Sequence, residues 1–136
     1  MGRRFTDRDL EEWLEHGFQR KRRIIYLGYF GEKSDEDDEE WRDARRTELF
    51  IEELDVLKQE NKRKIRVILN HTGGDFFQAM AIYDAIRTCN IPVDIEAYQA
   101  LSAGAVILQA GRQRLLYPNS TIMLHDGTMN PGEKSQ

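Results

Sequence analysis

Cysteine is almost missing from this 136-residue chain: Cys89 stands alone, so no internal disulfide can form and no spaced thiol pair is available to a metal. Its expected place is that of a small buried hydrophobe near a helix end. Proline is confined to Pro92, Pro118 and Pro131, and no repeat, low-complexity stretch or Pro/Gly-rich linker marks a domain boundary. No apolar run approaches the ~20 residues of a membrane span. The opening MGRRFTDRDLEEW also lacks the apolar core of a secretory signal. These absences predict a single cytoplasmic domain over residues 1–136, without membrane insertion. Gly2 and Thr6 fit the loose myristoylation pattern M-G-x-x-x-[ST], which is too degenerate to carry weight. Basic excess is missing as well. With 20 Lys and Arg against 24 Asp and Glu, the formal charge is -4, a poor surface for phosphates, and nucleic acid is not an expected partner.

What is present is alternation. Thr6 or Asp7 opens a short helix with Leu10, Trp13 and Leu14 on one face and Gly17 at its end, so residues 1–20 are expected as an amino-terminal helical extension. RKRR at 20–23 is expected as a solvated lead-in to a strand over 24–30. SDEDDEE at 34–40 sets carboxylates at the positive end of a helix dipole. Trp41, Phe50, Leu54 and Leu57, widened by Leu49 and Ile51, then predict a long amphipathic helix to about Asn61. KIRVILN (64–70) predicts a strand, HTGGD a glycine turn, and FFQAMAIYDAIRTC a helix with Phe77, Met80, Ala81 and Ile86 as its apolar face. IPVDIEAYQ predicts a further strand and SAGAVILQAG a short buried helix. RLLYPNSTIMLH predicts a pair of short strands bent around Pro118 and Asn119. Strands alternating with helices predict an α/β domain with a mostly parallel sheet, flanking helices and right-handed crossovers. Function in such sheets gathers at strand carboxyl ends, and there fall Gly73 with Gly74, Ser102 and His125.

A hydroxyl is a weak nucleophile until a base lies within hydrogen-bond reach. Ser102, just before an apolar helix, has a plain reading as its N-cap. Ala103 and Gly104 behind it are small and leave the backbone amides open to an oxyanion. Gly73 and Gly74 let backbone approach a substrate because no Cβ intervenes, although a turn without function is the plainer reading of that pair alone. Of the three histidines, His16 lies in the amino-terminal helix and His71 in the glycine turn, which gives His71 a lower claim. His125, ending TIMLH, is the best-placed base.

ALSAGAVILQAG (100–111), followed by RLLYPNSTIMLHDG, resembles the active-site region of the Clp protease proteolytic subunits, serine peptidases that form a chambered ring. ILNHTGGDFFQAMAIYDAIR is similar to that family's strand, Gly-Gly turn and helix, and RRIIYLGYF to its first core strand. The three segments occur in family order over about residues 22–127. The resemblance implies the stacked ββα architecture of the ClpP/crotonase kind, with Ser102 as nucleophile and His125 as general base. The N–H groups of Gly74 and Ala103 would form the oxyanion hole. It further implies a serine endopeptidase that needs no metal or cofactor, acts on peptides or unfolded proteins, forms a homo-oligomeric ring and meets an ATP-driven AAA+ unfoldase.

Departures from the family pattern qualify these expectations. The family's triad acid is an aspartate several tens of residues beyond the histidine, after a long helix. Neither lies within these 136 residues, so the carboxyl-terminal part is expected to be missing, and the chain by itself is expected to have little or no peptidase activity. Asp126 adjoins His125, but neighbours on an extended strand point to opposite faces. Asp75 stands at a helix start, where capping is the simpler job. His71 and Thr72 replace the usual Ser-Pro, the segment between Gly111 and Tyr117 is shorter than usual, and a helix stands where the family lines its axial pore. Two rival readings follow: a catalytically inactive Clp-like scaffold or regulatory subunit, and a crotonase-type acyl-CoA enzyme, which the joint presence of Ser102 and His125 disfavours.

Overall fold

The computed structural model describes residues 4–28 and 39–125. The chain runs α1 (Asp7–His16), β1 (Phe18–Gln19), β2 (Ile24–Gly28), α2 (Glu39–Glu60), β3 (Ile65–His71), α3 (Phe76–Arg87), β4 (Val93–Leu101), α4 (Ala103–Leu108) and β5 (Arg114–Met123). The strands lie side by side in chain order, β1 antiparallel to β2 and every later pair parallel. Sequential order makes each crossover turn the same way, and right-handed crossovers then place the connecting helices on one face. Period-two alternation selects that face. Ile25 and Leu27, Ile65, Val67 and Leu69, and Val93, Ile95 and Ala97 join Phe50, Leu54 and Leu57 of α2, Ala79, Ile82 and Ile86 of α3, and Ile107 of α4 in one buried cluster. Each such large side chain contributes about 1.5–3 kcal/mol on burial, so this shared face drives the fold. At alternate positions Tyr26, Arg66 and Glu96 are only partly buried, and Arg66 and Glu96 pair there at 2.6 Å.

Three helices use some of their apolar residues differently from expectation. In α3 the buried residues are Ala79, Ile82 and Ile86, while Phe77 is 62% exposed. The helical period admits either stripe, and α3 packs closely on both α2 and α4, where a small residue such as Ala79 permits a nearer approach than a phenyl ring. In α1 Thr6, one of the two expected caps, is the N-cap and Gly17 ends the helix in the left-handed region as expected, while Asp9 completes a capping box that the sequence reading did not name. Trp13 packs on Tyr26 with ring centroids 5.6 Å apart. Leu10 and Leu14, expected beside it, are exposed; the main packing partner of α1 is the short β1. Phe50, Leu54 and Leu57 of α2 are buried as predicted, whereas Ile51 is exposed. The acidic run before Glu39, the side chain of Trp41 and the end of the predicted first strand lie outside the described residues.

The basic run is not uniformly solvated. Arg20 pairs with Glu60 and Lys21 with Asp9 at the surface, but Arg23 is 3% exposed, with φ 58. Its guanidinium donates to Leu57 O at 2.9 Å, Asn61 O at 3.1 Å and Arg63 O at 2.8 Å. These carbonyls close the end of α2 and the loop into β3, where helix geometry leaves acceptors without partners and favours a cation. A second correction concerns β5. It is one strand rather than two, but its ladder breaks where the bend was expected: Ala97 pairs with Leu116 and Gln99 with Thr121. Ser120 bridges the break, its hydroxyl accepting from Tyr117 N at 2.8 Å and donating to Ala97 O at 2.6 Å.

Burial pushes the Glu53 carboxyl up to about 7, with Arg46 partly offsetting the shift and Glu52 and Glu12 adding to it. Against an ordinary value of 4.5, the native state binds more protons than the unfolded state between these two values. Stability from this group therefore falls as pH rises from 4.5 towards 7. Urea midpoints of the full-length protein are expected to drop across that window by the equivalent of roughly 2–3 kcal/mol, and Glu53→Gln is expected to flatten the drop. Arg23→Met, which keeps the apolar stem but removes the donors, is expected to cost about 2–4 kcal/mol in the same measurement, since hydrogen bonds to charged groups contribute about 1.5–3 kcal/mol each.

Candidate active site

Because β3, β4 and β5 run parallel, their carboxyl ends share one rim. β3 ends at His71, and Thr72 leads into Gly73 and Gly74, whose φ angles are 111 and 149. Both lie where L side chains are rarely tolerated. Asp75 then caps α3, accepting from Phe77 N at 2.8 Å and Gln78 N at 3.1 Å, which is the job its position predicts. β4 ends at Leu101 and hands the chain to Ser102. β5 ends at Met123, and Leu124 carries it on to His125.

Ser102 occupies the residue before α4, yet its side chain makes no capping bond. An N-cap serine ordinarily sits in the β region; Ser102 has φ 55 and ψ -117. Its Oγ lies 2.9 Å from His125 Nε2. Its amide donates to Met123 O at 2.8 Å, which ties the end of β4 to the end of β5 two residues before His125. A non-glycine residue in such a backbone conformation costs on the order of 1–3 kcal/mol. The capping reading is thereby replaced by a strained turn that directs the hydroxyl to a histidine.

The glycine turn packs on the serine. A Cβ at Gly73 would stand 3.3 Å from Ser102 Cβ, so the backbone of that turn lies against the hydroxyl-bearing residue. Ala103 opens α4, where the first amides have no intrahelical acceptor. Among the described residues, neither the Gly74 nor the Ala103 amide donates to another backbone group outside the regular elements. All four residues named from the sequence, Gly74, Ser102, Ala103 and His125, thus fall on one rim, with Ser102 and His125 in direct contact.

The other titratable candidates fall elsewhere. His71 is the last residue of β3, paired with Ala100, rather than part of the turn. Its Nδ1 accepts from Gly73 N at 3.1 Å, which occupies that nitrogen. Asp126 and the side chain of His16 lie outside the described residues. Gly104 has a part that the sequence reading did not assign: a Cβ there would stand 2.9 Å from His71 Cβ and 3.0 Å from His71 O. A glycine inside a helical pattern is the signal for such an approach. Among the described residues no group of three His, Cys, Asp or Glu side chains converges to hold a metal, and no helix is long and apolar enough to cross a membrane. An open hollow of about 960 Å³ lies beside α1, lined by charged groups including Arg8, Glu12, Arg20 and Glu60 and by none of the rim residues.

The strain at Ser102 has a measurable signature. Ser102→Gly relieves it while Ser102→Ala keeps it, so the glycine variant is expected to unfold at higher urea than the alanine variant, by about 1 kcal/mol. Equal midpoints would mean that the backbone at this position is unstrained.

Residues 39–135 match the family model described as Clp protease. The ATP-dependent Clp protease proteolytic subunit of Deinococcus radiodurans is 36% identical over 83 residues, which is 58% of this chain and 41% of that protein. Proteolytic subunit 3 of Nocardia farcinica is 33% identical over 117 residues, 84% of this chain and 48% of that protein. The chain spans less than half the length of either relative. Among solved structures, the ClpP protease catalytic domain from Plasmodium falciparum superposes with a TM-score of 0.67 at 23% identity, over 93% of this chain and 64% of that one. A ClpP1 mutant from Listeria monocytogenes gives a TM-score of 0.61 at 23% identity, over 76% and 56%. These two likenesses establish the fold, a ClpP-like α/β domain. Taken with the family match over residues 39–135, they make this chain a member of the Clp protease family.

Proposed function

We propose that this chain belongs to a protomer of a Clp-type serine endopeptidase, which cleaves peptides and unfolded proteins through an acyl-enzyme on Ser102. The observation that carries the reading is the 2.9 Å approach of Ser102 Oγ to His125 Nε2, made by a serine whose backbone turns its hydroxyl away from helix capping. In this reading His125 Nε2 accepts the hydroxyl proton as Oγ attacks the scissile carbonyl carbon. The carbonyl oxygen becomes negative and receives the N–H groups of Gly74 and Ala103. The C=O bond re-forms, the C–N bond breaks, and Nε2 returns the proton to the leaving amine. Water then attacks the ester by the same route, releasing the new carboxyl terminus and restoring Ser102. These steps require no metal or cofactor.

In this reading a carboxylate outside the described residues would orient His125, as the family pattern implies, and in the template triad neutralising that acid lowers kcat by about 10⁴. Activity is therefore expected of the complete protein. Both relatives are named ATP-dependent proteolytic subunits, which supports an ATP-driven AAA+ unfoldase as partner; a homo-oligomeric ring and a cytoplasmic setting complete the reading as the family resemblance implies them. Exposed Leu116, Ile122 and Met123 on β5, the outer strand of the sheet, support assembly in the same way.

In the full-length protein a fluorophosphonate is expected to label Ser102. Ser102→Ala is expected to abolish labelling and lower peptide hydrolysis by about 10⁴-fold or more. Hydrolysis undiminished by that substitution would overturn the assignment. A ring that assembles but leaves Ser102 unlabelled would instead identify an inactive scaffold subunit.

A further inference from the structure

We propose that His71 is a positioning residue that holds the two amide-bearing segments of the oxyanion site together. The inference rests on the serine-peptidase reading above and names a group that acts through the backbone rather than on substrate. Two independent contacts carry it. On one side, His71 Nδ1 accepts from Gly73 N at 3.1 Å, closing a turn from residue to residue-plus-two and fixing the peptide that leads into Gly74. On the other side, the first turn of α4 is seated on the same residue: Gly104, next to Ala103, approaches so closely that a Cβ would stand 2.9 Å from His71 Cβ and 3.2 Å from His71 Nδ1.

The Gly74 amide and the Ala103 amide belong to separate connections, one after β3 and one after β4. An oxyanion hole works only when its donors are preorganised about one point, since the stabilisation comes from dipoles that need not move. His71 is the residue on which both segments meet: its Nδ1 holds Gly73 N, and Gly104 lies against its Cβ, carbonyl and Nδ1. Accepting from Gly73 N requires a lone pair on Nδ1. A side-chain acceptor that holds the N–H two residues on is the ordinary behaviour of asparagine in an Asx-turn, and this likeness supplies the critical variant. Asparagine offers an acceptor where Nδ1 stands but has no basic nitrogen. Glutamine sets its acceptor one bond further out. Alanine has none.

The experiment uses the full-length protein and reads hydrolysis of a chromogenic peptide together with the rate of fluorophosphonate labelling at Ser102. His71→Ala is expected to lower kcat by about 10–100-fold, a part of the roughly 10²–10³ lost when one oxyanion donor is removed outright, with KM changed by less than about twofold. His71→Asn is expected to restore kcat to within about threefold of the unmodified protein, and His71→Gln to stay near the alanine value, labelling rates following the same order. Should His71→Ala fail to fold, the ratio of asparagine to glutamine variants decides, both being compared at equal thermal midpoint and equal assembly. An alanine variant with undiminished kcat, or an asparagine variant as slow as glutamine, overturns the inference. Those outcomes leave labelled Ser102 in the unmodified protein untouched; an unmodified protein that cannot be labelled at Ser102 instead overturns the peptidase reading, and this inference with it.

Discussion

The amide of Ser102 donates to the carbonyl of Met123, and the meeting of serine and histidine depends on that bond in the β4–β5 ladder. His125 lies two residues past Met123, so wherever β5 ends, the imidazole ends also. In unbroken register from the Ala97–Leu116 pair, Leu101 would oppose Ser120 rather than Met123, and His125 would lie well beyond the rim. The slip between Ala97 and Gln99 removes that mismatch. Ser120 stabilises it by satisfying both Tyr117 N and Ala97 O with one hydroxyl. A polar residue in the middle of an edge strand thus sets the register on which the rim contact rests. Such irregularities commonly re-aim a side chain beside a functional site.

Around this ladder the protein concentrates its conformational cost in few places. Ser102 and Arg23 are the non-glycine residues at positive φ among the described residues. Each is held by hydrogen bonds that offset its strain: Arg23 through its guanidinium on the carbonyls at the end of α2, Ser102 through the ladder bond to β5. The two differ in consequence. At Arg23 the interaction seals a helix end beneath the first parallel crossover, so its effect is on stability. At Ser102 it leaves the hydroxyl outside the helix ladder and against an imidazole, so its effect is on chemistry. Close glycine packing completes the rim: Gly73 lets its turn lie on Ser102, and Gly104 lets α4 lie on His71.

Much of this was legible in the sequence because it follows from local patterning. Alternating branched residues over 65–71 and 93–101, the small residues after Ser102, the capping residues Thr6 and Asp75 and the glycine at 17 all act within a few positions of themselves. Their outcome depends little on the rest of the chain. The less legible features involve distance. The stripe of α3 turned on what it packs against, since the same twelve residues offer Phe77 or Ala79 to the core and its neighbours α2 and α4 lie far off in sequence or beyond the next strand. Arg23 looked solvated because charge counts carry no information about carbonyls thirty-odd residues away. β1 was unrecognised because a two-residue strand has no period to detect.

By itself, then, the sequence determined the order of strands and helices, the apolar face that closes the sheet, and the residue types at the carboxyl ends, because these depend on periodicity and on neighbours along the chain. Tertiary structure alone decided that Ser102 turns to His125 instead of capping α4, that His71 serves the glycine turn and the seat of Gly104, and that β5 slips to bring its end to the rim. Those outcomes rest on hydrogen bonds and contacts between segments far apart in sequence, whose geometry exists only once parallel strands have paired.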